Sequence, residues 1–350
     1  MGAPRRSGPV PEDRVLHLSD PAGAATLLSE AAAATGRRWR VLPLATAPTP
    51  GPTASLRRAA RGATWEAELL RDRLWARRVH VHSALAQRHA GWAFGERFAL
   101  HLHGTDIRTR LYEPAHAAVI RDVVASASVV FYVTPDLRSH VAALRSDARL
   151  VPVPVPLGRA MPGPDLGPLL PPEAGDRGYV LFASRWGPEK GGDAQIGLAR
   201  SVARGLAAHR GPVPVGIDWG QNAEAARDAG VHLLPRMPHA RFRALVAGAR
   251  VAIGQLTGVL GASELDALAA DVPLVAPLDP RWYDGSDPAL VDVPVRGASF
   301  SPDDAEGLAA AVLAALDGPA PAPTRPWVAR HHSAASALQR VLAGYRSVGL

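Results

Sequence analysis

Residues 178–192, GYVLFASRWGPEKGG, run from a short apolar segment through a Gly-Pro turn into the start of a helical pattern. A run of this length, rich in Val, Leu and aromatic residues and closed by turn residues, is typical of a buried strand. Eight further runs of this kind occur at RVLHLS (14–19), RVHVHS (78–83), FALHLHG (98–104), SVVFYVTP (128–135), VPVGIDWG (213–220), GVHLLPRM (230–237), RVAIGQL (250–256) and DVPLVAPL (271–278). Strands that alternate with helical patterns predict parallel sheets covered by helices on both faces, which is an α/β fold.

A proline-rich stretch divides this series of strands into two halves. Residues 152–176 contain eight prolines, which remove backbone donors and exclude both a helix and a central strand. We therefore predict two doubly wound domains joined by a linker. The predicted bounds are 1–158 for the first domain, with a loose tail over 1–12, 159–177 for the linker, 178–326 for the second domain, and 327–350 for a last helix that packs back toward the N-terminal domain.

Composition excludes several classes of protein and site. The chain has 350 residues, 47% apolar and 20% charged, so it is long enough for two cores and is neither disordered nor fibrous. It contains no cysteine, which rules out disulfides, thiolate metal sites and cysteine nucleophiles. No apolar stretch approaches the roughly 18 to 20 residues that span a bilayer, and the first residues lack the apolar core of a signal peptide. These features predict a cytoplasmic protein.

The net charge of +7 is concentrated in the first half of the chain. Up to Arg159 there are 22 Lys and Arg against 13 Asp and Glu, and after it 17 against 19. Such a field favours an anionic ligand, an acidic acceptor, a lipid surface or nucleic acid. A predicted helix combines Trp65 and Trp75 with a basic face that fits either an anionic membrane surface or plain solvent. Its arginines are Arg57, Arg58, Arg61, Arg71, Arg73, Arg77 and Arg78.

Candidate sites are expected where strands end. In parallel α/β sheets, ligands bind beyond the carboxyl ends of the strands, where loops lead into helices with free N–H groups. Four such segments stand out, at 19–25, 103–108, 184–192 and 258–269. None matches a Walker loop or a GxGxxG pattern, which disfavours a P-loop nucleotidase and a dinucleotide-dependent dehydrogenase.

Arg185 and Lys190 in SRWGPEKGG form the sharpest candidate. Arg185 ends a predicted strand, and Lys190 stands at the mouth of the following helix. Lys190 is the only lysine of the chain, whose other 38 basic residues are arginines. A guanidinium binds two oxygens at once and an ammonium acts as a compact charge, so the pair suits a diphosphate; two solvated surface cations are the alternative.

Several of these segments resemble motifs of retaining GT-B glycosyltransferases of group 1, often called family 4. RVHVHS resembles the family's strand ending in His-x-His, HLHGTDIR its His-Gly-x-Asp loop, and FASRWGPEKGG its GRxxPEKG stretch. HLLPRMPHARFRALVAGARVAIGQL resembles the base-recognition segment, and ASELDALAADVPLVA the LEAMAxGxPVV helix. The matching segments run from about 14 to 318 in the expected order. The resemblance implies the GT-B architecture, in which two Rossmann-like domains face each other across a cleft, the first for the acceptor and the second for the nucleotide sugar.

The resemblance also implies roles for individual residues. Arg185 and Lys190 would hold the donor diphosphate and stabilise the charge on the leaving group, and His103 would act as a catalytic group over the donor sugar. Asp266 takes the position of the family's second glutamate, which binds the ribose hydroxyls. The other implied donor-binding residues are Gly23, Gly261, Ala262, Ser263 and Glu264, and Asp106 and Arg108 are candidates for the acceptor or an uncertain role. The nucleoside diphosphate sugar is the co-substrate, and no cofactor is implied.

One position departs from the family pattern. The family's first glutamate, which binds hydroxyls of the transferred sugar, is replaced by Gly258. Glu264 is only two residues from Asp266, and on a helix that spacing turns by about 200°, so the two carboxylates do not face one ligand unless the helix starts between them. A donor without the usual hydroxyl pattern and a degenerate binding protein both fit this departure.

Other polar residues carry weaker signals. His80 with His82, and His101 with His103, are i, i+2 pairs that each lie on one face of a strand, a spacing seen in metal sites. No carboxylate accompanies them at matching spacing, so the sequence predicts no metal site. Asp106 is either a base or a loop-capping residue.

The resemblance therefore implies a retaining, metal-independent glycosyltransferase of carbohydrate biosynthesis. Its acceptor would be a sugar, a lipid or a natural product. Two alternatives stay open: a non-catalytic GT-B-like protein that binds the nucleotide or sugar, and a peripheral binder of anionic membranes or polymers through the arginine-rich half. No specific nucleic acid is expected as a partner.

Overall fold

A computed structural model describes residues 13–44, 54–95, 97–158, 166–319 and 322–350 of the chain. Contacts divide the chain into two units. Unit 1 runs up to Pro154 and includes Ala334–Leu350, and unit 2 is Val155–Ser333. The predicted loose tail over 1–12 lies outside the described residues, as does part of the predicted linker.

The described residues contain eleven strands and thirteen α-helices. The strands are β1 (Arg14–Leu18), β2 (Arg38–Leu42), β3 (Arg78–Val81), β4 (Phe98–Leu102), β5 (Val129–Tyr132), β6 (Arg149–Leu150), β7 (Tyr179–Phe182), β8 (Val213–Ile217), β9 (His232–Leu234), β10 (Val251–Ile253) and β11 (Leu274–Val275). The helices are α1 (Ala24–Ala33), α2 (Ala54–Trp75), α3 (Gln87–Ala90), α4 (Pro114–Ser126), α5 (Leu137–Val141), α6 (Glu173–Arg177), α7 (Gly192–Ala208), α8 (Ala223–Asp228), α9 (His239–Ala247), α10 (Ala262–Ala269), α11 (Ala305–Asp317), α12 (Arg325–His331) and α13 (Ala334–Ser347).

Unit 1 contains a six-stranded parallel sheet in the order β2-β1-β3-β4-β5-β6. Both faces are buried, because side chains alternate across a strand and each face has its own apolar cluster. Leu16 and Leu18 belong to one cluster, and Val15 to the other. On the second face, Gly344 of α13 lies against the ring of Phe131, where a Cβ would overlap the ring. That glycine lets α13 pack closely on the sheet.

Unit 2 contains a five-stranded parallel sheet in the order β11-β10-β7-β8-β9. Its core includes β7 and β10 together with apolar residues of α7 and α11. The largest fully buried side chain is Trp186, just after β7, whose indole N–H donates a 3.1 Å hydrogen bond to the carbonyl of Ile217. The central position of β7 places its following loop between the loops of β10 and β8.

Nine of the eleven strands lie in the runs that the sequence predicted, and the predicted α/β class with two parallel sheets is confirmed. The two missed strands lie toward the edges of the unit 1 sheet. β2, RWRVL, is the outermost strand, and its arginines give it too few apolar residues to stand out. β6 has two residues, which is too short for any periodicity.

The proline-rich stretch is more structured than predicted. Gly167–Leu169 forms a 3-10 turn and α6 begins at Glu173, so the expectation that no helix forms before residue 177 is wrong. Pro172 is the N-cap of α6, where a missing N–H breaks no helical hydrogen bond. The predicted last helix is also divided: α12 belongs to unit 2 and α13 to unit 1.

Candidate functional site

Lys190 lies at the carboxyl edge of the unit 2 sheet, in the loop between β7 and α7. Its Nζ donates a 2.5 Å hydrogen bond to Oε1 of Gln255, the second residue after β10. β7 and β10 are neighbours, with Phe182 paired to Ile253, so their loops start side by side. The only lysine of the chain is therefore held against the loop that leads into α10.

Glu264 fixes that loop. Its side chain is 1% exposed, its Oε1 accepts a 3.0 Å hydrogen bond from the Gln255 N–H, and its Oε2 accepts a 2.9 Å bond from the Gly261 N–H. The contact with Gly261 is the return half of a capping box. Both oxygens accept hydrogen bonds from backbone donors, so Glu264 positions the loop in this structure. Its predicted role in donor binding stays a prediction.

The amino end of α10 is the anion-binding feature of this region. Gly261, Ala262 and Ser263 lie there half-buried. The first N–H groups of a helix have no carbonyl partner within the helix, and its dipole favours negative charge at that end. Through Gln255, the structure links Lys190 to the loop that ends at this helix terminus.

Arg185 faces the other neighbour of β7. Its Nε lies 2.5 Å from Oε1 of Glu189, and its Cζ lies 5.3 Å from the ring centroid of Trp219, which follows β8. Arg236, which follows β9, approaches the same ring with its Cζ 4.7 Å from the centroid. Arg185 and Lys190 thus share one loop but have different partners, and their convergence on one anion stays a prediction.

Asp266 is the charged centre of a buried network. Its side chain is 1% exposed, with Oδ2 2.7 Å from Nε2 of His239 and Oδ1 3.3 Å from Nε of Arg243, both on α9. Arg243 also donates 2.8 Å hydrogen bonds to the carbonyl oxygens of Pro156 and Gly158. Asp266 therefore ties α10 to α9 and to the first residues of unit 2. Its predicted contact with the ribose hydroxyls stays a prediction.

The backbone conformation at position 258 requires glycine. Its φ is +76°, and a Cβ there would lie 2.9 Å from Cβ of Asp279 and 3.1 Å from the Asp279 nitrogen. The Asp279 N–H donates a 2.9 Å hydrogen bond to the Gly258 carbonyl, which holds the two segments together. A glutamate at position 258 would be both strained and crowded. The departure from the family pattern thus has a local structural cause.

In unit 1, Gly23 follows β1 at the start of α1. Its φ is +75°, and the space where a Cβ would stand is open. Asp20 caps the helix, since its Oδ1 accepts hydrogen bonds from the N–H groups of Ala25 at 2.8 Å and Thr26 at 3.2 Å. The backbone of Gly23 is accessible, and its predicted role in donor binding stays a prediction.

Asp106 and Arg108 hold the loop after β4. Oδ2 of the buried Asp106 accepts a 3.1 Å hydrogen bond from the Ala84 N–H, and burial raises the pKa of this carboxyl. Arg108 pairs with the buried Asp136, with Nη2 2.6 Å from Oδ2. In this structure Asp106 caps the loop and Arg108 forms an ion pair, while a role of either residue toward an acceptor stays a prediction.

Five histidines form a continuous layer on one face of the unit 1 sheet. This histidine cluster comprises His17 on β1, His80 and His82 at the end of β3, and His101 and His103 at the end of β4. All except His103 are 0% exposed, and neighbouring rings have centroids 4.6 to 5.3 Å apart. The sequence revealed the two pairs, but only the pairing of β1 with β3 adds His17.

Hydrogen bonds link three of these rings in series. Nδ1 of His17 lies 2.8 Å from Nε2 of His82, and Nδ1 of His82 lies 2.9 Å from Nε2 of His103. In each bond one nitrogen donates and the other accepts, so the tautomer of His103 is coupled to that of His17. Burial lowers the pKa of His17 and of His103 to about 3. This series of hydrogen-bonded rings therefore ends in a neutral imidazole at His103.

The predicted basic helix is α2 with the start of β3. Much of its charge is used within unit 1: Nε of Arg71 lies 3.0 Å from Oδ1 of the buried Asp72, and Arg73 donates to the carbonyl of Ala93. The side chains of Arg57 and Arg58 lie outside the described residues. Leu74 stands 79% exposed on the same helix. In the described part of the chain, every helix is too short or too polar to cross a lipid bilayer.

Sequence reasoning missed several residues of this region, namely Trp219, Arg236, His239, Arg243 and Gln255. Gln255 follows β10 directly, so the rule that sites lie at the carboxyl ends of strands was a signal for it. The same rule was a signal for Trp219 and Arg236, which follow β8 and β9. His239 and Arg243 lie on α9, and no local pattern marks which side chains of that helix face Asp266.

No protein-family model and no curated protein matches this chain. Solved structures do match it. A UDP-forming α,α-trehalose-phosphate synthase from Burkholderia xenovorans is 13% identical with a TM-score of 0.65, over 97% of this chain and 99% of that one. HepE from Anabaena, solved with UDP and glucose, is 12% identical with a TM-score of 0.61, over 95% and 99%. Sucrose-phosphate synthase from Thermosynechococcus elongatus is 16% identical with a TM-score of 0.56, over 96% of each chain.

These likenesses extend over nearly the whole chain at low identity, and they establish the fold. The chain has the GT-B fold, with two Rossmann-like units, and the predicted resemblance to GT-B glycosyltransferases is confirmed.

Proposed function

We propose that this chain transfers a sugar from a nucleoside diphosphate sugar to an acceptor, with retention of the anomeric configuration and without a required metal. The observation that carries the proposal is the link from Lys190 through Gln255 to the loop at the amino end of α10. An ammonium and a helix amino terminus at one sheet edge suit a diphosphate. Because one structural neighbour is UDP-forming and another was solved with UDP and glucose, a uridine diphosphate sugar is the first donor to test.

Unit 2 supplies the electrostatic part of the reaction. When the bond between the sugar and the diphosphate breaks, negative charge grows on the leaving phosphate oxygens. The ammonium of Lys190 and the first N–H groups of α10 stabilise that charge. Arg185 adds a second positive charge when its guanidinium binds the phosphate instead of Glu189. This exchange replaces one anionic partner of the guanidinium with another.

Unit 1 supplies His103, which we assign to the transferred sugar. Its Nε2 is bonded to His82, and its Nδ1 has no hydrogen bond to the described residues. Because burial lowers the pKa of His103 to about 3, its imidazole is neutral at pH 7. A neutral ring at this position offers Nδ1 for a hydrogen bond to a sugar hydroxyl without adding charge.

Asp279 is our candidate for the carboxylate that Gly258 lacks. Its Cβ lies 2.9 Å from where a Cβ of residue 258 would begin, so the two side chains start from almost the same point. The carboxylate is bound by Arg281, with Nη2 2.5 Å from Oδ2, and this hydrogen bond lowers its pKa. An ionised carboxylate beside the loop of α10 accepts hydrogen bonds from sugar hydroxyls.

The decisive experiment measures binding and turnover separately. UDP, GDP, ADP and TDP are titrated by calorimetry, and release of nucleoside diphosphate from the matching sugar nucleotides is followed with a panel of sugar, lipid and aglycone acceptors. We expect Lys190→Met to lower turnover by about 100-fold to 1,000-fold, as for removal of one donor to a developing oxyanion. Arg204→Met removes a surface cation of α7 and serves as the matched control. Unchanged turnover in Lys190→Met would refute the assignment.

Two further results separate the alternatives. If Lys190→Met abolishes nucleotide binding but wild-type protein turns over no donor with any acceptor, the chain is a binding protein that keeps the diphosphate site. The Asp279→Asn variant should keep UDP binding and lose turnover, because the substitution leaves the diphosphate contacts intact. Retention is read from the anomeric proton of the product by NMR.

A further inference from the structure

The histidine cluster contains polar atoms that the protein does not satisfy. Nε2 of His17, Nε2 of His80 and both ring nitrogens of His101 are buried and have no hydrogen-bond partner among the described residues. A buried polar group without a partner costs free energy, and most such groups in native proteins bind a side chain, water or an ion. His17 and His80 belong to one group of neighbouring imidazoles on this face of the sheet, so a single bound species can satisfy a nitrogen of each.

We propose that His17, His80 and His82 bind a divalent transition-metal ion, with Zn²⁺ as the first candidate. One ring nitrogen from each of the three lies within 4.8 Å of the others. Bonds of 2.0 to 2.1 Å to a tetrahedral ion would place the nitrogens about 3.3 Å apart, so ring shifts of an ångström or so close the site. Imidazole is the ligand that Zn²⁺, Cu²⁺ and Ni²⁺ share, and the chain offers no thiolate to compete.

Tyr345 orients one of the ligands. Its hydroxyl lies 2.6 Å from Nδ1 of His80, which leaves Nε2 of the same ring for the metal. Metal-bound histidines usually have their second nitrogen hydrogen-bonded in this way, which fixes the tautomer and the ring direction. Tyr345 belongs to α13, so the ion would connect β1 and β3 to the last helix of the chain.

A second set of three, His82, His101 and His103, also lies within 4.8 Å and shares His82 with the first. One ion per chain is therefore expected. We assign it to the set with His17, because its three side chains are fully buried and it does not use His103 as a ligand. Both ring nitrogens of His82 lie in hydrogen bonds, so coordination through Nε2 replaces the bond with Nδ1 of His17 and keeps the bond with His103. His101, whose two ring nitrogens have no hydrogen-bond partner among the described residues, belongs to the second set and not to the first. The proposal is independent of sugar transfer.

The test uses the full chain without an affinity tag. Metal is first removed with a chelator, and Zn²⁺ binding is then measured by competition with a chromophoric chelator, both on folded protein and after refolding with the ion. We expect one ion per chain, and ligand-field bands of tetrahedral Co²⁺ when cobalt replaces zinc. Hydrogen exchange should slow in β1, β3 and α13 on metal binding and stay unchanged in unit 2.

Three variants assign the ligands. His17→Gln should abolish stoichiometric binding, and Tyr345→Phe should weaken it by about 10-fold to 100-fold, because it removes only the hydrogen bond to His80. His232→Gln changes an exposed histidine of unit 2 and is the matched control. Absence of stoichiometric binding in wild-type protein, before and after refolding, would overturn the proposal in favour of internal water. Binding that survives in both His17→Gln and Tyr345→Phe would overturn it too.

Discussion

The carboxyl edges of the two sheets differ in the charge of their side chains. In unit 1 the edge is a layer of five neighbouring imidazoles that burial keeps neutral. In unit 2 the same edge carries charged side chains, each held by a partner: Lys190 by Gln255, Arg185 by Glu189, and Asp266 by His239 and Arg243. Two parallel sheets of different strand order thus carry an uncharged layer and a charged one at the same edge. The difference teaches that a parallel sheet places a site at the carboxyl ends of its strands, while the side chains there decide its electrostatics.

The largest expected effect is on the stability of unit 1 in acid. For His17 and His103 the folded pKa of about 3 lies below the unfolded value of about 6.5. The unfolded state therefore takes up protons first as the pH falls. Stability is complete above pH 6.5 and is lost progressively down to about pH 3, at a rate of up to about 1.4 kcal/mol per pH unit for each histidine.

Hydrogen exchange of chelator-treated protein measures this loss, compared between peptides from β1, β3 and β4 and peptides from β7 and β10. We expect unit 1 to open at a higher pH than unit 2. The exposed-histidine variant His232→Gln should not move either profile. Equal acid sensitivity in the two units would contradict the prediction that the buried neutral histidines destabilise unit 1 in acid.

The second-largest expected effect is on the stability of unit 2, through the charged side chains at its carboxyl edge. Asp266→Asn removes the charge that faces the largely buried Arg243, and breaking a buried ion pair costs about 3 to 5 kcal/mol. Asp218→Asn breaks the exposed pair with Arg227, where about 0 to 1 kcal/mol is expected. Urea unfolding, monitored by a unit 2 probe, compares the two variants. Similar losses would mean that the buried network is no stronger than a surface pair.

The smallest effect concerns the helix that covers the histidine cluster. Gly344→Ala places a methyl group into the ring of Phe131, and overpacking of this kind costs about 1 to 3 kcal/mol. Gly62→Ala is the matched control in α2, where nothing lies within 4 Å of the new Cβ and a gain of about 0.5 to 1 kcal/mol is expected. Thermal unfolding measures both. A stabilised Gly344→Ala variant would show that α13 does not pack tightly on the sheet.

Most of the fold could be predicted from the sequence. Runs such as YVLF and FALHL are buried on both sides, so their composition alone marks them as central strands. β2 and β6 escaped because an edge strand with alternating arginines and a two-residue strand leave no apolar run. The carboxyl-edge rule also located Lys190 and the amino end of α10, since both follow from where strands end.

The candidate site was predicted only in part. The resemblance assigned Asp266 and Glu264 to donor binding, but their burial and partners were not predicted, because burial depends on what α9 and the loop after β10 place around them. Gly258 was interpreted as a lost glutamate. Its left-handed backbone and the approach of Asp279 were visible only in the folded chain.

The sequence by itself determined the α/β class, the positions of the central strands and the loops that carry the candidate residues. These depend on apolar periodicity and turn chemistry, which act over a few residues. Only the tertiary structure decided that His17 meets His82 and that Lys190 meets Gln255, each across 65 positions of the chain. Such contacts depend on which strands become neighbours in the sheet. The strand order is set by how the crossover helices pack, and no local sequence pattern encodes that packing.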